Sequence, residues 1–515
     1  MKHTIAIRLL TALLAGMLTI SALACGKANV DQGNDSTTPS AEVTATEPEG
    51  STTTEVTEVT TLYPDDLPED LSYNGEIITF LYREEIAGEF YTEGIAGEIV
   101  NDAIYDSILS VEERFGIDIQ AVLRKGHTTD VRAEYMDHIE NLVMSGEDTY
   151  DWVDMMIGNA TVRAQTGSYL NLLELKNLDL SKPWYIPDME ETVSVSDRLF
   201  FVSGDASLGY LKSAFCIYYN QKLGESYGVE DLNATVKAGK WTVEKVTQLA
   251  TQTAKDLNGD GLLDLEDQLG FVVHDSNHPR GFVASTGIQL FTKNADGTHT
   301  FTFGSDRDHT VCTALSALKT ATPGSFFFKG TNANVSQVAD YQNISSMFTG
   351  DKIFMISAEM DDVVSCGYHA MDSAYGVLPY PKYDEAQESY YTSSRSTHNA
   401  FLMPVTCADP EMAAAVLEAL SASNYQNVLP SYYEVVLKTK YATDSETSEI
   451  FDIIHDSMIL DFGYTYDNAL SNPVAVYTGV LNNIDSFASS VKAKAEVINK
   501  KYTQMLETIE AKCVN

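Results

Sequence analysis

The chain has 515 residues, 44% of them apolar and 10% aromatic, which is enough for two or three cored domains and excludes wholesale disorder. Its 33 basic against 74 acidic residues leave a net charge of −41. That field repels nucleic acid and anionic membrane surfaces, so neither is expected as a partner.

Lys2 and Arg8 lead into the apolar run "LLTALLAGMLTISALA", with small residues ahead of Cys25. A charged start, a short apolar core and a small-residue end predict a secretory signal over 1–24, too short for a convincing membrane span. "SALAC" resembles a bacterial lipoprotein signal, which implies that Cys25 becomes the lipidated first residue. Ala22 stands where that motif usually has Leu, and plain secretion is the alternative. The other cysteines are Cys216, Cys312, Cys366, Cys407 and Cys513, odd in number and without C-x-x-C spacing. They read as buried free thiols rather than a zinc site or a disulfide framework. Residues 25–72 are rich in Thr, Ser, Glu and Pro, bury too little apolar surface to fold, and read as a disordered tether.

From Tyr73 onward the pattern alternates. "EIITFLY" (76–82) reads as a buried strand, and Ile99, Ala103, Ile108, Val111 and Phe115 give a helix over 98–115. "GIDIQAVL" (116–123) is the next strand, a helix follows over 131–145, and "DWVDMMIG" (151–158) is a third strand. This is the grammar of an α/β domain with a mostly parallel sheet. Strands are predicted again at 198–204, 215–223, 352–358 and 375–381. A helix capped by Thr242 follows "KW", and another covers 409–422. Ile484, Phe487, Val491, Ala495, Ile498, Tyr502, Met505 and Ile509 recur by threes and fours, which predicts a long terminal helix packed on the body by one stripe.

"DWVDMMIGNATVRAQTGSYLNLLEL", "RLFFVSGDASLGYLKSAFCIYYNQKL", "GKWTVEKVTQLA", "MFTGDKIFMIS" and "YGVLPYPKYDEAQESYY" follow the signal and tether in that order. Their order and separation resemble the extracellular solute-binding proteins of bacterial ABC importers, in the class that includes maltose-binding protein. The resemblance covers residues 73–425. It implies a two-lobed α/β fold of the type II periplasmic-binding kind, each lobe a mixed sheet flanked by helices, joined by hinge strands. By position the crossings are expected at 205–214, 350–358 and 395–401. Lobe one then combines 73–206 with 353–397, and lobe two 207–352 with 398–515. The resemblance also implies a monomeric receptor, lipid-anchored outside the cytoplasm or periplasmic, which closes on a carbohydrate and delivers it to the importer's membrane subunits. The alternatives are a peptide or other small solute, or a surface glycan-binding lipoprotein that feeds no transporter.

"KDLNGDGLLDLEDQLGF" (255–271) fits a calcium loop. Asp256, Asn258 and Asp260 alternate ahead of a glycine turn, Leu262 offers its carbonyl, and Asp264 and Asp267 complete the set. Calcium needs six or more oxygens at about 2.3–2.6 Å, and only so tight a turn brings alternating side chains inward. Position 12 is Asp instead of Glu, which shortens the bidentate reach. A β-type run follows instead of a second helix, so the loop reads as a structural staple and not a sensor.

Ligand-binding candidates are polar and aromatic residues just after apolar strands. They are Tyr82, Arg83, Glu84, Asn159, the Trp184–Tyr185 pair, Asp205, Tyr210, Glu359, Asp361 and Arg395. Aromatic faces with carboxylates and an arginine suit a sugar, whose C–H face stacks while its hydroxyls pair with polar groups. No enzyme motif stands against this reading. His274 and His278 lack the Glu of H-E-x-x-H, no G-x-S-x-G or phosphate-binding loop occurs, and Ser489 and Lys492 match S-x-x-K only inside the terminal helix.

Overall fold

The computed structural model describes residues 65–328, 337–437 and 445–513. The signal, Cys25 and the tether up to residue 64 lie outside the described residues. Strand β1 (Ile77–Arg83) leads to helix α1 (Ile99–Phe115), β2 (Asp118–Arg124), α2 (Arg132–Ser145), β3 (Trp152–Met156) and α3 (Ile157–Arg163). Gly116 and Gly146 end α1 and α2 in the left-handed conformation, at φ 62° and 74°, where a side chain would be strained. The predicted strand at 151–158 is shorter than expected because the chain turns into α3 at Ile157. Residues 198–204 make no ladder: Val202 bridges Phe401, and Gly204 bridges Tyr185.

The second layer begins with β4 (Phe215–Asn220), followed by α4 (Val243–Thr253), β5 (Leu269–His274), the hairpin β6 (Phe291–Lys293) and β7 (His299–Phe301), α5 (Asp306–Thr320) and β8 (Ser325–Phe328). Thr242 caps α4 as expected, its hydroxyl accepting from the Lys245 amide at 3.3 Å. Helix α6 (Gln337–Thr349), β9 (Ile353–Glu359), β10 (Tyr375–Pro379), β11 (Asn399–Leu402) and α7 (Pro410–Leu437) follow. Helices α8 (Ser445–Asp456), α9 (Pro473–Asn482) and α10 (Phe487–Lys512) complete the chain.

Two mixed sheets organise the core. The first has the order β11-β3-β1-β2, with β1 parallel to both neighbours and β11 antiparallel to β3. The second has the order β10-β4-β9-β5-β8. This pairing corrects the expected lobe boundaries. Strands β9 and β10 flank β4 in the second sheet, so 353–379 does not belong with lobe one. Conversely β11 joins the first sheet and α7 packs on α1, so 398–437 does not belong with lobe two. The Trp152 indole locks that arrangement by donating to the Ala413 carbonyl at 2.8 Å.

The chain passes between the sheets near 205–214 and 394–399, and these segments run antiparallel. The Phe215 amide donates to Ser393 O at 3.0 Å and the Arg395 amide to Ser213 O at 2.9 Å. The crossing expected at 350–358 is instead an interior strand of the second sheet. Helix α10 buries Phe487, Ile498, Tyr502, Met505 and Ile509 of the expected stripe, while Val491 and Ala495 are half-buried and Ile484 lies in the turn before the helix. Its middle packs on β7, where the His299 and Phe301 amides donate to Tyr502 and Asn499, and Cys513 just beyond it reaches the Ala164 carbonyl at 3.6 Å.

Candidate functional site

The C-terminal ends of β1, β2 and β9 and both crossings meet at a cleft of about 150 Å³. Ile86 and Glu89, just after β1, and His127, after β2, supply the wall from the first layer. Glu359 and Asp361 supply the wall from the second. Lys212 and Ser213 line the cleft from one crossing, and Arg395, Thr397 and His398 from the other.

Charged groups face each other across it. Arg395 Nη1 lies 3.2 Å from Glu359 Oε1, and Lys212 Nζ lies 3.2 Å from Asp361 Oδ1 and 3.7 Å from Glu89 Oε1. Burial pushes the Glu89 carboxyl up to about 7, against the pull of Lys212 and Arg83. Burial likewise raises Glu359 to about 7, against the pull of Arg395, and neighbouring Asp362 is raised by burial as well. His278 stands behind Glu359, its Nδ1 2.8 Å from Ser357 Oγ, and burial pushes it well below the usual imidazole range. His398 is buried, which draws it down to about 4, and its Nε2 has no hydrogen-bond partner among the described residues. The cleft thus offers donors and acceptors side by side, several held near neutrality, as recognition of a hydroxyl-rich molecule requires.

The floor is rigid. Arg83 is 1% exposed and forks onto Asp154, with Nε 2.7 Å from Oδ2 and Nη2 3.0 Å from Oδ1. Asn399 Nδ2 donates to the same carboxylate at 2.9 Å, which ties β11 to β3. Arg83 Nη1 reaches His127 Nδ1 at 3.2 Å, so this pair positions a cleft residue from beneath.

The sequence-derived candidates divide. Glu359, Asp361 and Arg395 come together in the cleft, with Arg83 under it. Trp184, Tyr185, Asp205 and Tyr210 line a different cavity, of about 210 Å³, with Pro183, Pro187, His455 and Asp456. Tyr82 is in the core, its ring stacked on Phe90 at 4.1 Å, and Glu84 faces solvent. Asn159 is half-buried on α3, beside Gly158, whose carbonyl accepts from Asn468 at 3.0 Å. Reasoning from the sequence missed Glu89, His127, Lys212, Thr397 and His398. Lys212 lies two residues beyond Tyr210, within reach of the signal that selected the crossing. Glu89 and His127 gave none, because they come from loops whose convergence is tertiary.

The calcium-type loop closes on itself. Asp256 accepts from the Gly259 and Gly261 amides at 2.6 and 2.9 Å, and both glycines take positive φ, 80° and 84°. Asp267 accepts from the Leu257 and Asp264 amides at 2.9 and 3.1 Å. Asp260 and Asp264 each accept from the amide two residues on. Lys255 bridges Gln268 at the loop's base.

No protein-family model matches the sequence, and no curated protein matches it. Solved structures match the fold. A sugar transporter protein of Rhizobium etli in an open conformation superposes at a TM-score of 0.53 with 11% identity, over 84% of this chain and 99% of that one. An ABC substrate-binding protein of Listeria monocytogenes in complex with cycloalternan gives 0.50 and 15%, over 83% and 99%. The GacH receptor of Streptomyces glaucescens, solved unliganded and with acarbose, gives 0.50 and 13%, over 84% and 99%. The chain therefore has the two-lobed fold of ABC-importer solute-binding proteins. Among the described residues no helix is long and apolar enough to cross a membrane.

Proposed function

We propose that this protein is a solute receptor that captures a carbohydrate in the cleft and delivers it to an ABC importer, with no chemical step. One observation carries the reading: polar groups from both sheets and both crossings, Glu89, His127, Lys212, Glu359, Asp361 and Arg395, converge on one cavity. Such a site is complete only when the two walls approach, so a ligand that touches both shifts the population toward the closed form. Cycloalternan and acarbose, bound by proteins of the same fold, support a carbohydrate as the solute. The paired Arg395–Glu359 and Lys212–Asp361 contacts suit hydroxyls that both donate and accept.

Export through the 1–24 signal and lipidation at Cys25 place the receptor outside the cytoplasm, with 25–64 as its tether. The expected tether end at 72 is corrected, because 65–72 pack on the body, where buried Asp65 accepts from Arg114 at 2.6 and 2.8 Å and Leu67 and Leu71 rest on the core. Asp256, Asn258, Asp260, Leu262, Asp264 and Asp267 hold calcium as a staple. The support is the match of these residues to the loop pattern and the tight turn at Gly259 and Gly261, whose amides donate to Asp256; among the described residues no three such side chains are gathered as a metal site. A thermal-shift screen of the protein against maltotriose, cycloalternan, acarbose and peptides tests the receptor reading. A ligand that binds only the folded state raises the melting temperature. A shift with one sugar family that is lost in E359Q and R395A supports it. A shift with peptides alone, or a sugar recovered cleaved, overturns it.

A further inference from the structure

The cavity that collects Trp184, Tyr185, Asp205 and Tyr210 lies apart from the cleft, on the other side of Tyr210. That ring lines this cavity and also packs edge-on against His398, which lines the cleft, with centroids 5.7 Å apart. Two prolines and three aromatic rings make up most of its wall. The wall is held in place: the Trp184 indole and the Tyr185 hydroxyl both donate to Glu418, at 3.2 and 2.6 Å, and the Asp205 amide donates to the Trp184 carbonyl at 2.8 Å.

Asp205 is the anomaly. It is 7% exposed, and its Oδ1 lies 3.5 Å from His455 Nε2, yet its Oδ2 is buried with no hydrogen-bond partner among the described residues. A buried carboxylate oxygen left unpaired is costly, and it marks the place where a donor belongs. The charges of the lining do not cancel. Asp205 and Asp456 face a single imidazolium, that of His455, which lies 3.2 Å from Asp456. Lys182 sits 6.0 Å from the Trp184 ring centroid, but it is paired with Asp66 and Asp179.

We propose that this cavity is a second binding site, separate from the cleft, for a small molecule carrying a primary ammonium group. The ammonium donates to Asp205 Oδ2 and supplies the missing positive charge, while the C–H body lies against Trp184, Tyr185 and Tyr210. A cation near aromatic faces is attracted by their quadrupoles, more strongly where water is excluded. A hydroxyl could donate to the same oxygen but would leave the charge uncompensated. An anion is repelled by Asp205 and Asp456. The cavity has a volume of about 210 Å³. An amino sugar and a short diamine share this chemistry.

Trp184 provides the readout. It is one of three tryptophans, and the other two, Trp152 and Trp241, are 0% exposed. The full chain is titrated with glucosamine, cadaverine and the uncharged N-acetylglucosamine, following tryptophan fluorescence and heat. Saturable binding of glucosamine or cadaverine is expected, with N-acetylglucosamine inert. D205N should weaken binding about tenfold or more, as loss of a charge-assisted contact does. W184F should abolish the fluorescence change while the heat persists. Binding by glucosamine alone assigns the site to an amino sugar, and binding by cadaverine alone assigns it to a flexible amine. Equal binding of N-acetylglucosamine, or no binding by any of the three, overturns the proposal. So does amine binding that survives in D205N and is lost in E359Q, because the amine would then sit in the cleft.

Discussion

Replacing Asp154 by Ala tests whether the cleft floor is as dry as its geometry indicates. The carboxylate is 0% exposed and accepts from Arg83 Nε at 2.7 Å, Arg83 Nη2 at 3.0 Å, the Arg83 amide at 3.3 Å and Asn399 Nδ2 at 2.9 Å. Without it, Arg83 keeps, among the described residues, the His127 ring nitrogen at 3.2 Å and the Thr397 carbonyl at 3.5 Å, and a buried guanidinium loses its paired carboxylate. Breaking such a pair from one side costs about 3–5 kcal/mol, a large share of the roughly 5–15 kcal/mol that holds a domain folded. Urea unfolding should show the midpoint falling at unchanged slope. The double variant R83M/D154L, which removes both charges and fills their space, should recover at least half of the loss, because a buried pair gains little over apolar packing of similar volume. A D154A cost below about 1 kcal/mol, the range of solvent-screened pairs, would refute the argument. Water would then reach Arg83, and the pair would not be positioning His127 from a closed floor.

Three further outcomes follow from the same structure. In E359Q the dependence of stability on pH changes sign-specifically. The folded carboxyl titrates near 7 and the unfolded one near 4.5, so Glu359 favours the folded state at low pH, and this contribution is lost as pH rises from about 4.5 through 7. Relative to E359Q, the natural protein should therefore lose stability between about pH 4.5 and pH 7 in matched urea titrations, and parallel profiles would contradict it. G209A should destabilise by about 1–3 kcal/mol, read as a fall in melting temperature, because a Cβ there would overlap the Asn399 side-chain oxygen and the Glu89 carboxylate at the first crossing. Millimolar calcium should stabilise the protein by about 2.7 kcal/mol at a hundredfold excess over Kd, read as a rise in melting temperature that chelator reverses. D256N/D260N should abolish the effect, and an unchanged melting temperature in the natural protein would remove calcium from the loop.

Much of the local structure was legible in the sequence because its causes are local. The spacing of Ile99, Ile108, Val111 and Phe115 predicted α1 to within a residue, and Thr242 announced the start of α4 by the oxygen it offers to a free amide. The stripe from Phe487 to Ile509 predicted both α10 and its buried face. Alternation of such strands and helices was enough for the α/β class. Sheet membership was not legible, because "KIFMIS" and "YGVLPYP" are apolar on both faces and would suit either sheet. Only their pairing with β4 places β9 and β10 in the second layer, which moved the expected lobe boundary. The site divided for the same reason. Glu359 and Arg395, far apart in sequence, meet because the two crossings run antiparallel. Trp184 and Asp205 carry the same aromatic and acidic signal but are bonded to each other through the backbone on the far side of Tyr210. Residue type and local period determined which elements form and which side chains can recognise a polar solute. Long-range pairing of strands and crossings, which no short window encodes, decided which of those side chains share a cavity.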